Sequence, residues 1–254
     1  LSGAREIEPL RALVPLAGGI LFGISLALLA RWRPSGEVDP MEANALHGGR
    51  MSFRGSLIVA CQTMWSSGVG ASVGLEAGYT QLASGIASNI GRRLRLRRPD
   101  LRLLVGCGAA AAISGAFGAP IAGAFYAFEL ILGSYSIAVF VPVMAATFMA
   151  TVTHDILSPA LLSVEVPAIG SITISDLPLV VLLGSACGLV GIDVMHAAAF
   201  VEAGFRRSRI PPYLRPAFGG LVVGGLAIWI PTVFSAGHGA INLYLSMPTS
   251  LGLL

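Results

Sequence analysis

Four stretches of this chain, residues 12–30, 55–75, 103–128 and 216–254, contain no Asp, Glu, Lys or Arg. About 20 consecutive apolar residues suffice for a helix to cross the hydrocarbon core of a bilayer, and core helices of water-soluble proteins seldom sustain such a run. Composition agrees. Charged residues make up 11% of the 254 positions, against about 25% in a soluble domain, and the mean hydropathy is +0.79. A lipid bilayer is therefore the expected solvent. The 32 glycines and the alanine-rich stretches suit membrane helices that pack closely through small residues. Aromatic residues are sparse at 7%, and no strand-like alternation of apolar and polar residues runs along the chain. Both observations argue against a transmembrane β-barrel.

The formal charge of +3 is not read as a nucleic-acid footprint. The arginines gather at the ends of apolar runs: near Arg31 and Arg33, from Arg92 to Arg102, and from Arg206 to Arg215. Loops rich in arginine stay on the cytoplasmic side, so these groups are expected to share one face, with the densest of them, Arg92 to Arg102, forming a loop there. Cys61, Cys107 and Cys187 all lie in apolar surroundings and read as small packing residues. No Cys/His spacing resembles a zinc site. Neither a phosphate-binding glycine loop nor a nucleophile–base pair is evident, so no catalytic residue, metal or cofactor is expected. The chain opens on Leu1 and closes on Leu254 within an apolar stretch, which gives the expectation of a longer protein.

Along the chain, residues 10–30 read as the first span and 36–46 as a loop or short helix. Residues 51–67 are apolar, and helical character resumes over 79–91. Residues 103–117 and 120–132 form two segments broken at Gly118-Ala119-Pro120. Further segments cover 137–153, 176–205 and 216–230, and the segment 237–254 reads as incomplete. Several are too short to span. Irregular backbone at membrane depth survives only where protein buries it or where it lines a cavity, and transporters build their ion sites from such broken helices.

One residue carries most of the functional argument. Glu76 lies in Val73-Gly74-Leu75-Glu76-Ala77-Gly78, inside a stretch, 68–78, that holds four glycines. An ionisable side chain at membrane depth is expensive and usually functional. Free N–H groups at the helix start that follows attract anions. A carboxylate there can fill an anion site itself and vacate it on protonation. The competing reading is a structural first-turn carboxylate.

The same residues carry a resemblance. Gly74-Leu75-Glu76-Ala77-Gly78 is similar to the Gly-Arg/Lys-Glu-Gly-Pro signature of the CLC chloride channel and transporter family. Gln81 with Asn89-Ile90-Gly91-Arg92, Gly108-Ala109-Ala110-Ala111 and Phe117-Gly118-Ala119-Pro120-Ile121-Ala122-Gly123 resemble further family blocks, in order and at matching spacing. The resemblance implies an all-α integral membrane fold of tilted and broken helices in an antiparallel, inverted repeat. Residues 1–162 would form the first half and 163–254 the start of the second, incomplete at both ends. It implies Glu76 as the external gate and Gly74, Leu75, Glu76, Ala77 and Gly78 as the anion-binding segment. Chloride or another small anion is the transported ligand, a homodimer the assembly and the cell's inner membrane the location.

The departures are specific. Leu75 replaces the signature's basic residue, Ala77 its second glycine and Gly78 its proline. The family's Gly-Ser-Gly-Ile-Pro loop matches Gly36-Glu37-Val38-Asp39-Pro40, so the serine offered to the central anion is missing. Ser35, with Gly36, is the substitute within reach of a register shift. Glu37 and Asp39 bring negative charge to an anion's entrance, where it is electrostatically unwelcome. Exchangers of the family carry an internal proton-transfer carboxylate where this chain has Leu130. Glu129, one residue earlier, reads as a structural carboxylate, with a proton relay as the alternative. Leu130 favours a passive channel over a proton antiporter of the same fold. A non-transporting, degenerate membrane protein is the third reading. His47 is expected in a loop, and His154, His196 and His238 as packing or interface residues.

Overall fold

Apolar length decides which segments can span. In the computed structural model, residues 13–32, 37–71, 73–157, 174–230 and 233 are described, and secondary structure among them is helical. Four helices are long and apolar enough to cross a membrane: α1 (Val14–Trp32), α5 (Arg98–Phe117), α7 (Ile137–Leu157) and α8 (Leu177–Arg207). Between them stand shorter ones: α2 (Pro40–Ala45), α3 (Phe53–Gly68), α4 (Glu76–Arg93), α6 (Pro120–Tyr126) and α9 (Arg215–Trp229). Ser35, Gly36 and His238 lie outside the described residues, as do 163–173 and 234–254 of the expected second half.

The break at residues 118–120 forms as its sequence dictates. Gly118 closes α5 in the left-handed region at φ 60°, a conformation that costs glycine no steric penalty. Pro120 then opens α6, where its missing N–H is of no consequence. The helix continues past Tyr126 as a π-helical turn, Ala127–Leu132, and stops at Gly133 with φ 62°. π-Turns inside helices are rare and concentrate at functional sites.

α5 is the central element and packs on α4, α6 and α7. Its contacts are those of a membrane bundle, where small residues let backbones approach. A Cβ on Gly108 would press against the Ala83 carbonyl of α4. Val105, Ala109 and Ala110 of α5 are fully buried, as are Phe128 and Val143 across from them. Buried hydroxyls join the helices: Ser84 Oγ donates to the Val105 carbonyl (3.2 Å) and Ser114 Oγ to the Thr147 carbonyl (2.7 Å). α1 packs on α9 and, less extensively, on α3. α8 buries none of its 31 residues.

Two expectations need correction. The cluster from Arg92 to Arg102 is mostly helical: Arg92 and Arg93 end α4, while Arg98 and Arg102 belong to α5. Arginine at a helix C-terminus is stabilised by the macrodipole, so the connecting turn shrinks to residues 94–97. Of the cysteines, Cys107 alone is buried, whereas Cys61 and Cys187 are exposed. Apolar sequence surroundings did not separate a core-facing position from one on the bundle's outer surface.

Candidate functional site

Glu76 is the first residue of α4, and Leu75 before it offers no side-chain cap. The first bond of the helix runs from Tyr79 N–H to the Leu75 carbonyl at 3.1 Å. The N–H groups of Glu76, Ala77 and Gly78 therefore precede the intrahelical ladder, and such groups attract negative charge. The Glu76 carboxylate folds back toward this end. A Cβ on Gly74 would overlap Glu76 Oε2, so only glycine leaves the carboxylate room there. Glu76 is half-buried, Leu75 and Ala77 are exposed, and Gly78 is buried against the Thr63 side chain of α3. The segment Gly74 to Gly78 is thus brought together as one unit around a carboxylate at an uncapped helix start.

Three neighbours complete it. The Tyr79 hydroxyl, one turn along α4, lies within electrostatic reach of the Glu76 carboxylate. Thr80 Oγ1 donates to the Glu76 carbonyl, and the Tyr126 hydroxyl of α6 approaches the Thr80 side chain within the electrostatic reach of Glu76 and Asp39. Gln81 Nε2 donates to the Val38 carbonyl at 2.8 Å. That bond ties α4 to the backbone leading into α2. Gln81 was legible from its motif; Tyr79 was missed, although its position three residues after Glu76 on a helix is a signal that could have found it. Tyr126 was not legible, because nothing local in the sequence shows that α6 lies across from α4.

The second helix start is built differently. Asp39 caps α2, with Oδ1 accepting from Glu42 N–H at 2.7 Å, and Pro40 has no N–H to offer. Glu37 lays its carboxylate against Gly55 in the first turn of α3, where a Cβ would overlap Oε2. The two acidic residues that look unwelcome in sequence thus each sit at the positive end of a helix, the arrangement helix dipoles favour. Further along the chain, Glu129 is exposed within the π-helical turn and accepts from the Tyr135 hydroxyl at 3.2 Å. Leu130 beside it is 50% exposed. Among the described residues no cluster of His, Cys, Asp or Glu has the makings of a metal site.

The family model described as voltage gated chloride channel matches residues 18–254. The chain belongs to the CLC family. Among relatives, this CLC chain is 36% identical over 247 residues to a ClcB-like chloride channel protein of Ralstonia nicotianae, covering 94% of the chain and 57% of the relative. It is 29% identical over 266 residues to the voltage-gated ClC-type chloride channel ClcB of Escherichia coli (strain SMS-3-5 / SECEC), covering 100% of the chain and 62% of that relative. The chain therefore spans about three fifths of the length of these proteins. Two solved structures share its fold. One, a slow cyanobacterial Cl⁻/H⁺ antiporter, has a TM-score of 0.71 and 21% identity over 95% of this chain and 57% of that one. The other, a CLC-type fluoride/proton antiporter, has a TM-score of 0.63 and 23% identity over 95% and 69%. The CLC chain is accordingly an all-α integral membrane protein, as its motifs implied.

Proposed function

We propose that the chain forms part of an anion-permeation path in which the Glu76 carboxylate is the gate. One observation carries this reading: a carboxylate folded over Gly74 at the uncapped start of α4. There it competes with a mobile anion for the amides of Glu76, Ala77 and Gly78. Protonation removes its charge and with it the attraction to the helix end, which leaves the position to the anion. Chloride is the reading's first substrate, because both named relatives are described as chloride channels. The start of α2, the inner one on this reading, differs from that of α4 in being capped by a side chain, the carboxylate of Asp39. On this reading Ser35 and Gly36 border the same path.

Passive movement down a gradient is the preferred mode, because Leu130 cannot carry a proton at the family's internal transfer position. Residues 1–162 are assigned to the first half of an inverted repeat and 163–254 to the start of the second. The exposed length of α8 is in keeping with partners drawn from the remainder of such a repeat. A homodimer in the inner membrane, with the arginine-bearing helix ends toward the cytoplasm, completes the assignment.

The test is flux through the complete protein in liposomes. Glu76→Gln is expected to raise chloride flux several-fold and to flatten its dependence on pH. In the parent protein, flux should climb as pH falls and the carboxylate protonates. An unchanged pH profile in the variant would remove Glu76 from the gate.

A second reading, proton-coupled antiport, has support in the two solved structures, each described as an antiporter. Proton uptake driven by an imposed chloride gradient separates the modes. Stoichiometric uptake, abolished by Glu129→Gln, would favour antiport with Glu129 as the relay. Absence of flux for chloride, nitrate and fluoride alike would favour the non-transporting reading.

A further inference from the structure

At the arginine-rich end of the bundle a cavity of about 510 Å³ opens between the C-terminal end of α2 and the turn joining α4 to α5. Arg50, Arg98 and His47 supply its polar lining, and Leu46, Leu96 and Leu101 its apolar lining. No Asp or Glu lines it. The acidic groups nearby are Glu42, 3.7 Å from His47 Nε2, and Asp100 in the first turn of α5. Neither Arg50 nor Arg98 makes an ion pair among the described residues. Two unneutralised guanidinium groups therefore share one concavity.

The backbone is shaped to hold one of them. Gly48 adopts φ 60°, and a Cβ there would overlap Arg98 Nε and crowd Cγ. Arg98 thus passes close over Gly48, which brings its guanidinium to the cavity. A guanidinium there offers paired donors that match an oxyanion with two or more oxygens better than a spherical halide. The volume is also far beyond a single halide and falls within the range of small organic ligands. The rim is apolar and open, with Leu46 67% and Leu96 37% exposed. Such a rim suits a ligand that is anionic at one end and greasy at the other.

We propose that this cavity is a binding site for the phosphate headgroup of an anionic phospholipid of the membrane in which the chain sits. Arg50 and Arg98 take the phosphate oxygens, while Leu46 and Leu96 meet the glycerol and the first methylenes of the acyl chains. Basic pockets between helices on the cytoplasmic side of membrane proteins have the charge and depth to do this. A lipid there bridges α2 to the α4–α5 turn, and so reaches both helices of the Glu76 site from the opposite end. The site does not depend on Glu76 being a gate.

The complete protein, purified in detergent and stripped of lipid, is titrated with dihexanoyl phosphatidylglycerol, dihexanoyl phosphatidylcholine and inorganic phosphate, following the melting temperature. Phosphatidylglycerol should raise it saturably, and the other two should not. In Arg50→Gln/Arg98→Gln the half-saturating concentration should rise about thirtyfold, the loss expected for two arginines near a membrane surface. Arg207→Gln, on the exposed end of α8, should leave it unchanged. Should the double variant fail to fold, each single variant reads the same shift at roughly fivefold. Equal half-saturation in parent and variants would overturn the site. An equal response to phosphatidylcholine would overturn its charge selectivity, and an equal response to inorganic phosphate would overturn the lipid as its ligand.

Discussion

Gln81 Nε2 and the Val38 carbonyl stand 2.8 Å apart, and this one bond fixes the second turn of α4 to the backbone that enters α2. Glu76 begins the first of these helices and Asp39 caps the second. The two carboxylates that differ most in expected role are thereby held in a set relation. Gln81 is itself buried, so removing its amide leaves the Val38 carbonyl without this partner. Gln81→Leu is expected to cost about 1–3 kcal/mol and to lower the melting temperature in detergent. It should also lower chloride flux per folded protein, because the two helix starts lose their common reference. Unaltered flux in a folded Gln81→Leu protein would show that this bond serves stability alone.

Gly74 gives an independent handle on the gate. A methyl group there collides with the Glu76 carboxylate in its observed position but leaves its chemistry intact. Gly74→Ala is therefore expected to raise flux at neutral pH while keeping flux responsive to pH, whereas Glu76→Gln raises flux and loses the response. The two variants differ only if the carboxylate's position and its charge act separately. Liposome flux across a pH series measures both.

Ser88 is the clearest stability determinant among the polar core residues. Fully buried, it accepts from Met51 N–H at 2.9 Å and donates to the Gly49 carbonyl at 2.7 Å. It thus pins the 48–51 turn onto α4. Ser88→Ala strands both backbone groups, and the loss of two buried partners is expected to cost about 2–4 kcal/mol. Thermal melting in detergent reads this directly. Flux per folded protein should be nearly unchanged, since Ser88 lies three turns from Glu76 along the helix.

How far the sequence reached depends on the range of the physics involved. The uncharged runs at 12–30 and 103–128, Gly118 before Pro120, and Glu76 among glycines are local signals that led to α1, α5 with the break before α6, and the start of α4. The arginines from Arg92 to Arg102 misled because charge density alone does not distinguish a loop from two helix ends; the dipole favours Arg92 and Arg93 at the end of α4, while Arg98 and Arg102 open α5 without that help. Glu37 and Asp39 read as intruders because their partners, Gly55 and the Glu42 N–H, emerge only once α2 and α3 have formed. The approach of Tyr126 to Thr80 joins residues 46 positions apart. No pattern within either segment encodes that distance.

Asp39 yields the sharpest test of how the inner helix start differs from the outer one. As the cap of α2, its carboxylate satisfies Glu42 N–H, and that duty needs an oxygen acceptor but no charge. As a negative group near the Glu76 site it also repels an arriving anion, and that effect needs the charge alone. Asparagine keeps the acceptor and removes the charge. Asp39→Asn is therefore expected to hold the melting temperature within a degree or two of the parent and to raise chloride flux, most of all at low ionic strength, where screening is weakest. Asp39→Ala removes both and should match that flux increase while losing about 1 kcal/mol of stability with the cap. If Asp39→Asn leaves flux unchanged at low salt, the charge lies outside the anion's route. The inner end of the path must then be sought away from α2.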